Sequence, residues 1–243
     1  MQESKLVVKK SKLQGTKDIL NLLKKMGEVT VSRSYNSPIT DILLDTKEKY
    51  FEATDGHRLI RLPFPEKWVV LEAKENDDRA FINPDDLPAK NKVNSLFEVP
   101  TFTDDRRWPD TSFLSRAEQY PYTVEVPFSV DFIRVIQAVA KFGVPVGIEF
   151  TPDGMKCEYE GIRCECRTEL KILQPFAVQA RCLVDFFQFC KVLFPEFMKS
   201  FDPISIFIDY RSDEEPLRFR PFDCNKDFLT YIIMPFKIKD KDY

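Results

Sequence analysis

Apolar residues fall along the chain at two kinds of spacing, and the two kinds follow one another in the same order twice. In the first half the alternating "KLVVKK" leads to Thr16, a helix N-cap residue type. Ile19, Leu20, Leu22, Leu23 and Met26 then predict one apolar helix face, stopped by Gly27. Short runs rich in β-branched and aromatic residues follow, and "EVTVSR", "ITDILLD", "KYFEAT", "RLIRLPF" and "KWVVLEA" each predict a strand. The second half opens on "YTVEVPF", with Ser129 as N-cap and Phe132, Ile133, Ile136, Val139 and Ala140 on the inner face of a helix ending at Gly143. After "VGIEF" and a "TPDG" turn come the hairpin "MKCEYEGIRCECR", the strand "FAVQA", a second helix over about 182–194, and strands at "ISIFID", "LRFRPF" and "FLTYIIMPF". The pattern predicts an α+β protein of two tandem units, each β-rich with about two helices. "FLSRAEQYP" marks the junction, which gives domains over 1–115 and 116–243.

Charge changes this picture little in bulk and more in detail. Thirty-six Lys and Arg against 39 Asp and Glu leave a net charge of -3, which argues against a protein that coats itself in nucleic acid through overall charge. A basic face remains possible. Arg134, Gln137 and Lys141 form a stripe opposite the apolar one on their helix. Lys17, Lys24 and Lys25 stay off the buried face of the first helix, and Gln188 and Lys191 do the same on the last. Each stripe reads as a solvated helix face or, taken together, as a concave basic surface that follows phosphates. No apolar run approaches the roughly 20 residues that span a bilayer, and the opening "MQESKLVVKK" lacks the hydrophobic stretch of a signal peptide, so a cytoplasmic, membrane-free protein is expected.

Two sets of residues invite a chemical reading. Cys157, Cys164 and Cys166 lie in alternating runs joined across Glu160 and Gly161, where small thiols line one face of a hairpin. With no CxxC pair and no nearby histidine, they are read, with Cys182, Cys190 and Cys224, as reduced structural residues and not as metal ligands. His57 is the single histidine. No nucleophile motif, P-loop, dinucleotide-binding glycine pattern or acidic metal cluster accompanies it, so neither a catalytic role nor a cofactor is expected.

"ATDGHRL" at 53–59 resembles a signature of the bacterial β sliding clamp, the ring-shaped processivity subunit of the replicative polymerase. "RRWPDTSFL" (106–114) is similar to that family's Arg-Phe-Pro-Asp segment, "YIIMPFKI" (231–238) to its C-terminal Met-Pro-Met-Arg-Leu ending, and "FAVQARCLVDFF" to the strand-into-helix segment of its last domain. The resemblance covers nearly the whole chain as the second and third of the family's three domains. It implies two sliding-clamp domains and a non-enzymatic clamp that encircles duplex DNA irrespective of sequence. It also implies that polymerase and clamp loader bind through a short peptide, in a pocket lined by Thr54, Gly56, His57, Arg58, Leu59, Pro109, Leu114, Ile232, Met234 and Pro235. Ile232 and Met234 equally fit as core residues of a last strand. DNA would face Lys17, Lys24, Lys25, Arg134, Gln137, Lys141 and Lys191. Family rings hold six domains, so two per chain imply a homotrimer; the alternative is a monomeric clamp-like module that only binds partner peptides. The compact form points towards a phage, acting in the cytoplasm of an infected bacterium. Two departures stand out: Phe236 replaces the family's second methionine and Lys237 its arginine, and Pro84 and Pro88 interrupt 83–99, where the family has a pore-lining helix.

Overall fold

The computed structural model describes residues 5–9, 16–30, 38–64, 69–72, 78–93, 96–101, 108–142, 144–194, 203–221 and 229–236. The chain divides into two compact units, Met1–Asp110 with Asp227–Thr230 and Thr111–Lys226 with Tyr231–Tyr243.

The first unit contains β1 (Lys5–Lys9), α1 (Thr16–Gly27), β2 (Ile42–Asp45), β3 (Tyr50–Thr54), β4 (Arg58–Pro63), β5 (Val69–Glu72), β6 (Arg79–Ile82) and β7 (Leu96–Pro100). All pairing is antiparallel: β1 lies between β5 and β7, while β6, β2, β3 and β4 are successive neighbours. Ile19, Leu20, Leu22, Leu23 and Met26 are all buried, and α1 packs against β1, β2 and β3. Each such side chain contributes about 1.5–3 kcal/mol of burial. The registers Leu43↔Glu52 and Leu43↔Phe81 put these three residues on one face of the second sheet. There Leu43, Phe81 and Trp108 form a buried cluster flanked by Ile39 and Tyr50.

One expectation for this half needs correction. "EVTVSR" does not begin as a strand: Glu28, Val29 and Thr30 form the turn that closes α1, their N–H groups donating to its last carbonyls, Val29 to Met26 at 2.9 Å. Residues 31–33 lie outside the described part. Two 3-10 turns, Pro84–Asp86 and Lys90–Lys92, precede β7. Asn83 caps the first by accepting the Asp85 N–H at 2.8 Å, with Pro84 in the opening position that proline tolerates. Pro84 packs so closely on Gly27 that a Cβ there would sit 2.7 Å from its ring. The expectation that the prolines prevent a full helix through 83–99 is met.

The second unit contains β8 (Tyr122–Phe128), α2 (Val130–Val139), β9 (Gly147–Thr151), β10 (Gly154–Tyr159), β11 (Ile162–Arg167), β12 (Phe176–Gln179), α3 (Ala180–Leu193), β13 (Ile204–Tyr210), β14 (Leu217–Pro221) and, from Tyr231 on, β15 (Thr230–Ile233). One antiparallel sheet runs β11, β10, β9, β12 and another β15, β14, β13, β8. Ser129 caps α2 as expected, its hydroxyl accepting the Phe132 N–H at 3.2 Å. Phe132, Ile133, Ile136 and Val139 are buried, whereas Ala140 is the half-buried C-cap and Gly143 lies outside the described residues. The helices pack on each other, and the core between them and the sheets is aromatic. Phe128 meets Phe132, Phe150 and Phe187, and Phe186 meets Phe219 and Tyr231.

Charge is buried in this unit too. Asp209, 1% exposed, accepts from Arg218 Nε at 2.8 Å, from Arg220 Nε and a terminal nitrogen at 2.6 and 2.7 Å, and from the Thr123 hydroxyl at 2.7 Å. Burial acts to raise the Asp209 carboxyl, but the hydrogen bonds from Arg220 and Thr123 and the two guanidinium charges hold it below its ordinary value. Arg218 lies over the Tyr120 ring, 4.9 Å from its centre.

Candidate functional site

β3 and β4 form a hairpin whose three-residue loop is Asp55-Gly56-His57. Gly56 sits at φ +85°, the left-handed region that a three-residue hairpin loop demands and glycine enters without strain. The Asp55 carboxylate accepts the N–H groups of His57 and Arg58, both at 2.9 Å, and with its other oxygen the Arg58 Nε, also at 2.9 Å. Thr54 closes the ring from the opposite side, its hydroxyl donating to the Arg58 carbonyl at 2.7 Å and accepting the Gly56 N–H at 3.1 Å. Arg58 reaches the Glu28 carbonyl at 3.1 Å, tying the loop to the turn after α1. Asp55, Arg58 and Thr54 therefore build the loop, and Thr54, Arg58 and Leu59 are themselves buried. Gly56 and His57 are the exposed residues at its tip.

Pro109 is exposed and follows directly on buried Trp108. The Trp108 indole N–H donates to Glu52 Oε1 at 2.7 Å, and Arg61 occupies Oε2 through its Nε at 2.7 Å. Glu52 is wholly buried on β3, so the pair neutralises a charge that would otherwise be costly. The Arg61 guanidinium also covers the Tyr50 ring at 4.4 Å. Burial first, then the Glu52 charge, push the Tyr50 hydroxyl up to about 12. Leu114 is half-buried in the 3-10 turn Ser112–Ser115, and Arg106 and Arg107 lie outside the described residues.

In the second unit Ile232 is buried on β15 opposite Arg218, Met234 is 38% exposed just beyond the strand, and Pro235 is half-buried. The Phe236 N–H donates to the Ala177 carbonyl at 2.7 Å, which anchors the segment behind Met234 to β12; Lys237 falls outside the described residues. Of the residues picked from sequence, Gly56, His57, Pro109 and Met234 thus offer open surface. Leu59 and Ile232 serve the core.

The basic residues are placed as their helices dictate. Lys17, Arg134, Gln137, Lys141 and Lys191 are exposed, Lys24 and Lys25 half-buried. Lys25 pairs with Glu28 at 2.7 Å and Arg134 with Asp131 at 2.8 Å, so part of the charge on the first two stripes is already offset. Gln188 departs from its stripe: it is half-buried, and its Oε1 has no hydrogen-bond partner among the described residues.

The cysteine hairpin forms as read. Glu160 and Gly161, at φ +48° and +81°, make its two-residue turn, and the rungs Cys157↔Cys164 and Met155↔Cys166 put the sulfur side chains on one face. Burial and the neighbouring Cys164 push the Cys157 thiol up. Among the described residues no group of three or more His, Cys, Asp and Glu is placed to hold a metal ion, and no helix is long and apolar enough to cross a membrane.

No protein-family model and no curated protein sequence matches the chain. Solved structures do. The Helicobacter pylori beta clamp bound to a DNA ligase peptide superposes over 97% of this chain with a TM-score of 0.63 at 12% identity. The DNA polymerase III subunit beta of Bartonella birtlesii, bound to griselimycin, superposes over 98% with a TM-score of 0.67 at 14% identity. The C. crescentus beta sliding clamp gives 98%, 0.65 and 12%. The fold is that of the bacterial β sliding clamp. The chain spans 66% of the Helicobacter pylori clamp and 67% of the Bartonella birtlesii one. The clamp fold is legible in four short segments, while the pairing of Glu52 with Trp108 is not. A lone glutamate inside the apolar run "KYFEAT" was the available signal, because a buried carboxylate needs a donor elsewhere in the chain.

Proposed function

We propose that the protein is a DNA sliding clamp, a non-enzymatic ring subunit that encloses duplex DNA and tethers a polymerase and its loader through a short peptide. The observation that carries this reading is the clamp fold over nearly the whole chain, together with a loop that spends Thr54, Asp55 and Arg58 on its own shape and leaves Gly56 and His57 outward. The candidate peptide contacts are Gly56, His57 and Pro109 in the first unit, supported by Thr54, Arg58 and Leu59, and Met234 and Pro235 in the second, supported by Leu114 and Ile232. Met234 suits a site that takes several partners, since its thioether adapts its shape. Work of this kind belongs in the cytoplasm of a bacterium or of an infected host.

The test uses the protein with a DNA ligase peptide of the kind bound to the Helicobacter pylori clamp. Met234→Ala with His57→Ala is expected to weaken binding at least about tenfold while the melting temperature holds, because a few apolar and aromatic anchors carry most interface energy. Equal affinity in a folded double variant overturns the assignment.

DNA is guided by Lys17, Lys24, Lys25, Arg134, Gln137, Lys141 and Lys191. Phosphate contacts carry no sequence information and weaken steeply with salt, so topology must supply the retention. Arg134→Glu with Lys141→Glu is expected to shorten residence on closed circular DNA at moderate salt, and linear DNA to lose the protein faster than circular. Loss at the same rate from both forms counts against a ring.

A second reading is favoured by one observation. Two 3-10 turns lie within 83–99, the segment where the clamp family has a pore-lining helix, which suits a monomeric clamp-like module that binds partner peptides without enclosing DNA. A ring of six such domains takes three copies of this chain. Light scattering at micromolar concentration separates the readings: three times 28.5 kDa for the ring, 28.5 kDa for the module.

A further inference from the structure

Glu52 and Arg61 form one rung of the β3–β4 hairpin, and Thr54 and Leu59 form the rung two places on. Side chains two positions apart on a strand share a face, about 7 Å from one another. The Trp108 indole is thus fastened to the same face as the base of the Asp55-Gly56-His57 loop, by a 2.7 Å bond to a carboxylate with no solvent exposure. Trp108 is also locked sideways, packed on Leu43 and Phe81, its ring centre 5.8 Å from that of Phe81. The exposed residue it carries is Pro109, whose ring has no N–H and a fixed φ, so its position is set by the residue before it.

From this geometry we infer that Glu52 and Trp108 are positioning residues for peptide binding: the buried carboxylate fixes the indole, and the indole fixes Pro109 as a wall beside the loop. Arg61 completes the device by occupying the second oxygen, its Nε donating to Glu52 Oε2 at 2.7 Å. A phenylalanine in place of Trp108 would fill most of the same space on Leu43 and Phe81 but could not donate to Glu52. Position, more than hydrophobic burial, is therefore what the indole N–H supplies.

This inference rests on the peptide-binding reading, and its test separates the two. Affinity for the DNA ligase peptide is measured for wild type, Met234→Ala, Trp108→Phe, Pro109→Ala and the Trp108→Phe/Pro109→Ala double variant. Trp108→Phe is expected to weaken binding about tenfold, the scale of a lost charge-assisted hydrogen bond. That loss should vanish in the Pro109→Ala background, because a residue acting only through Pro109 has nothing left to position. Additive losses, or a Trp108→Phe protein with wild-type affinity while Met234→Ala is weakened, overturn the positioning role and leave the peptide reading standing. A wild-type protein that binds no such peptide overturns both. Should Trp108→Phe fail to fold, the wild-type indole N–H resonance of Trp108 decides: peptide addition shifts it if the inference holds, and an unmoved signal overturns it.

Discussion

Asp209→Ala is expected to destabilise the second unit by about 3–5 kcal/mol, the usual consequence of removing one partner from a buried ionic cluster. Arg218 and Arg220 are 6% and 8% exposed, and both turn their Nε groups on this one carboxylate. Without it, two guanidinium groups on β14 lose their shared acceptor while remaining buried. Thr123 on β8 loses its acceptor as well, so three strands of one sheet are affected together. Thermal unfolding followed by circular dichroism should show a fall of more than about 10 °C, taking about 4 °C per kcal/mol for a unit of this size. The same carboxyl sets a pH dependence. Its folded value lies below its unfolded one, so its contribution is fully present above about pH 4, the ordinary value, and is lost as pH falls through the depressed folded value. Wild type should therefore lose stability on acidification below about pH 4, and Asp209→Ala should lose less over that interval.

Gly154→Ala is expected to cost about 3 kcal/mol or more, from backbone strain and overpacking acting together. The residue begins β10 at φ +133°, a conformation that side chains disfavour. An added Cβ would lie 2.2 Å from the Cys166 carbonyl oxygen and 2.9 Å from the Thr168 nitrogen. Both are backbone atoms, so no rotamer change relieves the clash, and the rung Gly154↔Arg167 must open. Urea denaturation should show the loss. Amide exchange should rise first in β10 and β11, where the expected damage starts, and uniform exchange across the unit would contradict this account.

Local signals carried a good part of the fold. The apolar spacing of Ile19 to Met26 and Phe132 to Val139 needs only helical geometry to place a buried face, and the Ser129 hydroxyl meets the Phe132 N–H because both belong to one turn. Pro84 and Pro88 announced the loss of a helix through 83–99 for an equally local reason, the missing N–H of proline. The first three residues of "EVTVSR" depart from a strand where a local propensity meets a competing demand, the open carbonyls at the end of α1. In the site, "TDGHRL" was legible because its bonds join residues at most four apart in sequence, apart from Arg58 to Glu28.

By itself, then, the sequence determined the elements bounded by short-range contacts: among the described residues, the α-helices and most of the strands, the loop at 55–57 and the thiol-lined hairpin, together with the family whose fold the chain shares. Only the tertiary structure decided which of the chosen residues are surface and which are core, separating His57 and Met234 from Leu59 and Ile232, because alternation along a strand names two faces without saying what covers either. It alone joined Trp108 to Glu52, 56 residues away, and Arg220 to Asp209 across a strand pair. A buried charge requires a partner, but chain spacing does not say which, since any donor that the fold brings within about 3 Å will serve.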